Sequence, residues 1–316
     1  MGERGAVMAL AGVQGSRRVR RRREESRLAD HVDRLGEEHP PIPLDSVDYT
    51  MNDPGRLVER FGSVLSYMSR VELEVERNVL ELNILLPDPP EVDRRFYADV
   101  WLPQETHHGL ILDRLQVLAG LEPAEPNLSD VSFKLKLLGA LGRVRGVQDV
   151  SRMLYYLTGV ATERSAVLAY NKLHAGLVEL GERAVAATLV APIKRQEPGH
   201  FAYYQIAARQ LWTQLGSWQR WLVRTLRKRT FGPVGVSSDQ QLVEFGEVMR
   251  ALVTSTGDEA HLQHYARQVG RVEHELLWAH RRGLRVPDYV FKALRRAAEA
   301  AADLKGDHRP AERSEP

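Results

Sequence analysis

Leu102-Pro103-Gln104-Glu105-Thr106-His107-His108-Gly109 and, further along, Lys194-Arg195-Gln196-Glu197-Pro198-Gly199-His200 each contain the tetrad Glu-x-x-His. In a helix, residues i and i+3 share a face, so each tetrad can offer a carboxylate and an imidazole to one point. A single tetrad means little in a chain with 42 acidic residues and 11 histidines. Two of them, with a further inward acid on the helix between, are more specific. Helical phase tests the idea. The stripe through the first tetrad reads Trp101, Glu105, His108, Leu112, Leu115, Ala119, and that through the second reads Ile193, Glu197, His200, Tyr204, Ala207, Leu211. Between them runs Tyr156, Val160, Glu163, Val167, Tyr170, His174, Leu177, and an earlier helix gives Leu65, Met68, Glu72, Val75, Val79, Leu82, Leu86. Four helices each place an acid on an apolar seam.

A lone buried carboxylate costs several kcal/mol or takes up a proton. Four carboxylates and two imidazoles around two divalent ions remove that cost. The order Glu, Glu-x-x-His, Glu, Glu-x-x-His is that of a di-iron or di-manganese carboxylate bundle. The predicted metal ligands are Glu72, Glu105, His108, Glu163, Glu197 and His200, with Glu105, Glu163 and Glu197 as catalytic carboxylates. Oxygen and imidazole donors suit two Fe2+ ions, or manganese. On the first helix, Glu74 and Glu81 share a face with Arg70, Arg77 and Asn78 that reads as solvated, and Glu76 lies on a mixed row; Glu72 has the cleanest seam. His107 points off its seam and reads as a polar contact. His261, His264, His274 and His280 have no inward acid in phase. Trp101, Tyr156, Tyr170 and Tyr204 read as core, and Trp212, Trp218 and Trp221 as packing against a later helix.

Apolar spacing of three to four residues continues outward from these seams, and strand-like alternation is scarce. The pattern predicts helices over 54–86, 91–120, 129–142, 146–178, 181–211, 214–229, 238–254, 258–282 and 287–302, an all-α bundle with additional C-terminal helices. Residues 1–44 read as a flexible arm: Arg17 to Arg23 holds six arginines in seven positions, and prolines crowd 40–43. The helical domain spans 45–302, and 303–316 read as a disordered tail.

The 316 residues contain no cysteine, which excludes disulfides, thiolate zinc sites, iron–sulfur clusters and cysteine nucleophiles. The net charge is +2, and without the arginine run the rest is slightly acidic, so charge gives no reason to expect nucleic-acid binding. No stretch approaches the ~18–20 apolar residues of a membrane span, and no secretory signal is evident, so a cytoplasmic protein is expected.

The motifs resemble those of the soluble acyl-carrier-protein desaturases. Trp101-x-x-x-Glu105-x-x-His108-Gly109 looks like that family's second metal helix, Thr162-Glu163-Arg164-Ser165-Ala166 is similar to its third, and Glu197-x-x-His200 follows at a comparable distance. The resemblance covers about residues 60–230. It implies a ferritin-like bundle, usually a homodimer, with a di-iron centre that activates O2 using electrons from a ferredoxin. The implied substrate is a fatty acyl chain on acyl carrier protein, which leaves with a double bond; Arg220 to Arg229 is a basic segment suited to the acidic carrier.

Four positions depart from the family. Its threonine three residues after the third-helix Glu is Ala166 here, with Ser165 one place earlier; the acid before the second-motif Glu is Gln196; and Pro198-Gly199 interrupts that motif. Proline removes a helical hydrogen bond, so a bulge or kink is expected at 194–199. The alternatives are another di-iron oxygenase, an N-oxygenase or hydroxylase of a small metabolite, or a non-catalytic ferritin-like metal-binding paralogue. One N-oxygenase group adds a histidine where this chain has Ile193, which disfavours that reading.

Overall fold

The computed structural model describes residues 26–128, 145–252, 259–281 and 283–306. Among them there are helices and no strands, as the apolar spacing predicts. The elements are α1 (26–38), α2 (Pro54–Leu73), α3 (Val75–Leu85), α4 (Glu91–Arg95), α5 (Leu102–Leu118), α6 (Arg145–Leu180), α7 (Arg183–Val185), α8 (Ala191–Gln214), α9 (Ser217–Thr230), α10 (Asp239–Leu252), α11 (Glu259–Glu273) and α12 (Asp288–Gly306). The helix expected over 129–142 lies outside the described residues. None of the described helices is long and apolar enough to cross a membrane.

The central bundle is built from two pairs, α2 against α5 and α6 against α8. α10 packs on α2 and α12, while α11 packs on α6 and α12, so the C-terminal helices cover one side of the bundle. One apolar core joins α2, α5, the second half of α6, α10 and α12. The other joins α1, α3, the first half of α6, α8 and α9. Gly109 lets α2 come close to α5: a Cβ there would meet Leu73 at 2.8 Å.

Several boundaries differ from the sequence reading, for physical reasons. The helix expected over 54–86 breaks at Glu74. Its carboxylate is buried between Arg70 (3.0 Å) and Arg77 (3.6 Å) and accepts from the Asn127 main-chain N–H (3.0 Å), so the face read as solvated is an internal ion-pair cluster. Residues 26–38, placed in the expected flexible arm, form α1, whose Leu28, Val32 and Leu35 are buried in the second core. That helix ends where the prolines begin. The arginine run lies outside the described residues. At the other end α12 continues to Gly306, past the expected start of the tail at 303.

The expected bulge at 194–199 is absent: α8 runs as an unbroken α-helix with Pro198 inside it. Pro198 is exposed, so the side of the helix it disrupts is the outer one, where water can reach the freed carbonyl. Wide π turns occur upstream instead, at Phe96–Trp101 before α5 and Ala186–Val190 before α8. Each is followed by a proline in the first turn of the next helix, Pro103 or Pro192.

Candidate metal centre

The four bundle helices bring all six predicted ligands together. α2 supplies Glu72, α5 supplies Glu105 and His108, α6 supplies Glu163, and α8 supplies Glu197 and His200. They form two groups, Glu72, Glu105, His108, Glu197 and Glu105, Glu163, Glu197, His200; within each, one ligand atom per residue lies within 4.8 Å of the others. Each group can hold a metal ion. Glu105 and Glu197 belong to both and so lie between the two positions. His108 Nδ1 is 2.8 Å from Glu105 Oε2 and 3.2 Å from Glu197 Oε1. His200 Nδ1 is 2.9 Å from Glu105 Oε1 and 3.7 Å from Glu163 Oε2.

The outer carboxylates are held alike. Tyr170 O–H donates to Glu72 Oε1 (2.7 Å), and Trp101 Nε1–H donates to Glu163 Oε1 (3.2 Å). Glu76 is exposed on α3, outside both groups, so seam phase ranks Glu72 and Glu76 as the structure does. His107 makes the off-seam polar contact expected of it, Nδ1 to the Ile42 carbonyl at 2.7 Å.

The donor set fits divalent ions. Both carboxylate oxygens of Glu197 and Nδ1 of His200 are buried without a hydrogen-bond partner. Such atoms are costly to enclose unless a cation satisfies them. Burial, then the charge of Glu105, pushes Glu72, Glu163 and Glu197 above the usual carboxylate range. Burial would raise Glu105 too, but the two imidazoles pull it below that range. For His108 burial works toward the neutral ring, and the carboxylate of Glu105 outweighs it and pushes the imidazole up. In the metal-free cluster, protons take the place of cations.

Two glutamines that seam phase did not assign as functional lie behind the histidines. Gln196 Oε1 is 2.6 Å from His108 Nε2, and Gln104 Oε1 is 2.6 Å from His200 Nε2. Their amide nitrogens donate to the 39–40 segment: Gln104 to the His39 carbonyl, Gln196 to the Pro40 carbonyl at 2.8 Å. A sequence signal was present, because Gln precedes Glu in both tetrads.

The opposite side is open. A cavity of about 960 Å³ is lined by Glu72, Glu105, Glu163 and Glu197, and by neither histidine of the tetrads. Its walls include Met68, Val71, Val75, Phe245 and Met249; Ser165 and Ala166 also line it. Tyr156 and Tyr204 are buried, as expected of core residues. Trp218 and Trp221 do not pack inward as expected: they are 54% and 64% exposed on α9. No family model, curated protein or solved structure matches the chain.

Proposed function

We propose that this protein is a di-iron carboxylate oxidoreductase that uses O2 to oxidise an organic molecule held in the cavity, in the manner of an acyl-carrier-protein desaturase. The observation that carries the reading is that one cavity is lined by all four carboxylates of the cluster and by neither of its histidines. A storage site needs no organic pocket of this size. Oxygen-rich donors with two imidazoles and no sulfur favour iron, with manganese second.

Bound iron would supply the O2 chemistry. The chain's own residues do the rest. Glu105 and Glu197, which belong to both groups, would hold the ions together with the residue pairs on either side. Tyr170 and Trp101 fix the outer carboxylates Glu72 and Glu163. Met68, Val71 and Val75 keep an apolar chain beside the carboxylates and exclude water. For a desaturation the balance closes: a –CH2–CH2– unit loses two hydrogens, and O2 with two electrons and two protons from an external reductant becomes two waters. A ferredoxin-type donor suits that reductant. An acidic acyl carrier suits α9, on which Lys228 and Arg229 are exposed together with Trp218 and Trp221. A homodimer follows from the same reading.

A second reading, an N-oxygenase or hydroxylase of a small metabolite, is favoured by the polar members of the cavity wall, Thr158, Thr162 and Ser165. The test is aerobic incubation of iron-loaded protein with reductant and either an acyl-carrier thioester or small amines and alcohols, followed by mass spectrometry. Loss of two hydrogens from the acyl chain is expected. Oxygen insertion into a small metabolite would replace the first reading with the second, and two bound irons with no turnover would leave a non-catalytic metal-binding protein.

A further inference from the structure

The contacts behind the two histidines contain a chain of forced choices. The carbonyls of His39 and Pro40 can only accept hydrogen bonds. The side-chain amides of Gln104 and Gln196 must therefore turn their NH2 groups to these carbonyls, as they do. That leaves each amide oxygen facing an imidazole: Gln104 Oε1 to His200 Nε2, and Gln196 Oε1 to His108 Nε2, both at 2.6 Å. An amide oxygen can only accept, so each Nε2 must carry the hydrogen. In a neutral imidazole the other nitrogen, Nδ1, is then a bare lone pair. Both Nδ1 atoms point at carboxylates, His108 at Glu105 and Glu197, His200 at Glu105 and Glu163. A lone pair facing a carboxylate is repulsive until a cation lies between them, a proton in the metal-free cluster, as between His108 Nδ1 and Glu105 Oε2 at 2.8 Å, and a metal ion once one is bound.

We infer that Gln104 and Gln196, anchored on the His39 and Pro40 carbonyls, are positioning residues that hold both imidazoles as Nε2–H tautomers and commit them to metal through Nδ1. The bracing is crossed. The glutamine of α5 holds the histidine of α8, and the glutamine of α8 holds the histidine of α5. The 39–40 segment ties both together, and His31 Nε2 pins the same region to the Gly199 carbonyl at 3.0 Å. Amides in this place also matter for charge. Four carboxylates balance two divalent ions, and a neutral brace leaves that balance intact, whereas an acid behind each imidazole would add negative charge to a buried site.

The inference rests on the metal-site reading, and the experiment separates the two. The full chain, with 15N-labelled histidine, is loaded with Zn2+, and imidazole nitrogens are observed by NMR together with zinc affinity by competition. Wild-type protein should bind zinc and show two imidazoles with a protonated, slowly exchanging Nε2 and a metal-shifted Nδ1. Gln196→Leu should remove the protected Nε2–H of His108 alone, and Gln104→Leu that of His200 alone, each with zinc affinity about 10–100-fold weaker. Should the leucine variants not fold, Gln196→Glu and Gln104→Glu provide near-isosteric replacements. They keep an oxygen for the ring and should restore the Nε2–H signal, but they lose the NH2 that holds the carbonyl, so affinity stays reduced. Wild-type protein that binds no zinc overturns the metal reading and this inference together. Zinc bound through Nε2, or Nε2–H signals unchanged in the variants, overturns this inference alone.

Discussion

Glu105 belongs to both of the groups that can hold a metal ion and His108 to one, and both are buried, so neither loss can be made good by solvent. Glu105→Ala and His108→Ala should each weaken iron binding at least about tenfold, read as metal content after gel filtration. Glu72→Ala should lower iron content, and Glu76→Ala should leave it at the wild-type level, because Glu76 is exposed. Full occupancy in the Glu105 and His108 variants would remove the metal assignment. The convergence of the six residues was legible in the sequence because i, i+3 spacing and seam phase are local properties of a helix. The glutamines were not, although Gln104 and Gln196 stand in the same place in both tetrads. Their role depends on residues 39–40, which no helical periodicity connects to them.

At the scale of an element, α1 shows where local reasoning failed. The arginine run and the prolines on its two sides suggested a loose arm, yet Leu28, Val32 and Leu35 repeat every three to four residues and are buried. Leu35 packs on Gly199, where a Cβ would meet its Cδ1 at 2.3 Å, so a residue within the second tetrad is shaped to receive this helix. Leu35→Ala should cost about 2–5 kcal/mol, measured by urea unfolding of the metal-free protein. A change below about 0.5 kcal/mol would show that α1 is not part of the folded core. The π turns were equally hidden, because their sequences have ordinary helical composition. Proline at 198 drew the expectation to the wrong turn. It sits on the exposed side of α8, while Pro103 and Pro192 follow two of the turns that widen.

For the molecule as a whole, the Glu/His cluster and the C-terminal helices set two further expectations. Glu72, Glu163 and Glu197 hold protons to higher pH than free carboxylates, and so does the His108 imidazole. Metal ligation needs the deprotonated forms, so iron or zinc uptake near pH 7 should release protons, and affinity should rise with pH. The same shifts mean that, above the unfolded carboxylate range, the folded metal-free chain binds more protons than the unfolded one. Its stability should fall as pH rises through the folded values; Glu105, depressed, opposes this with stability that is lost only in acid. Calorimetry in two buffers of different ionisation enthalpy reads the proton release, and equal heats would contradict it. Beyond the bundle, Arg227 on α9 is buried against Glu273 on α11 at 2.6 Å, and Tyr289 of α12 donates to the same carboxylate at 2.5 Å. Glu273→Gln leaves the guanidinium without a countercharge and should cost about 3–5 kcal/mol by thermal unfolding. A loss under about 1 kcal/mol would show that water reaches the pair.

The crossed brace also has a consequence for the order in which the molecule is made. His39 and Pro40 leave the ribosome before Gln104 and long before Gln196, which grip them. Contacts so distant in sequence form slowly, because a long loop must close before they contribute. The 39–40 segment thus waits for α8 before it can settle. A nascent chain lacking that helix has one tetrad and no cross-brace, so the full Glu/His cluster is assembled only at the end of folding.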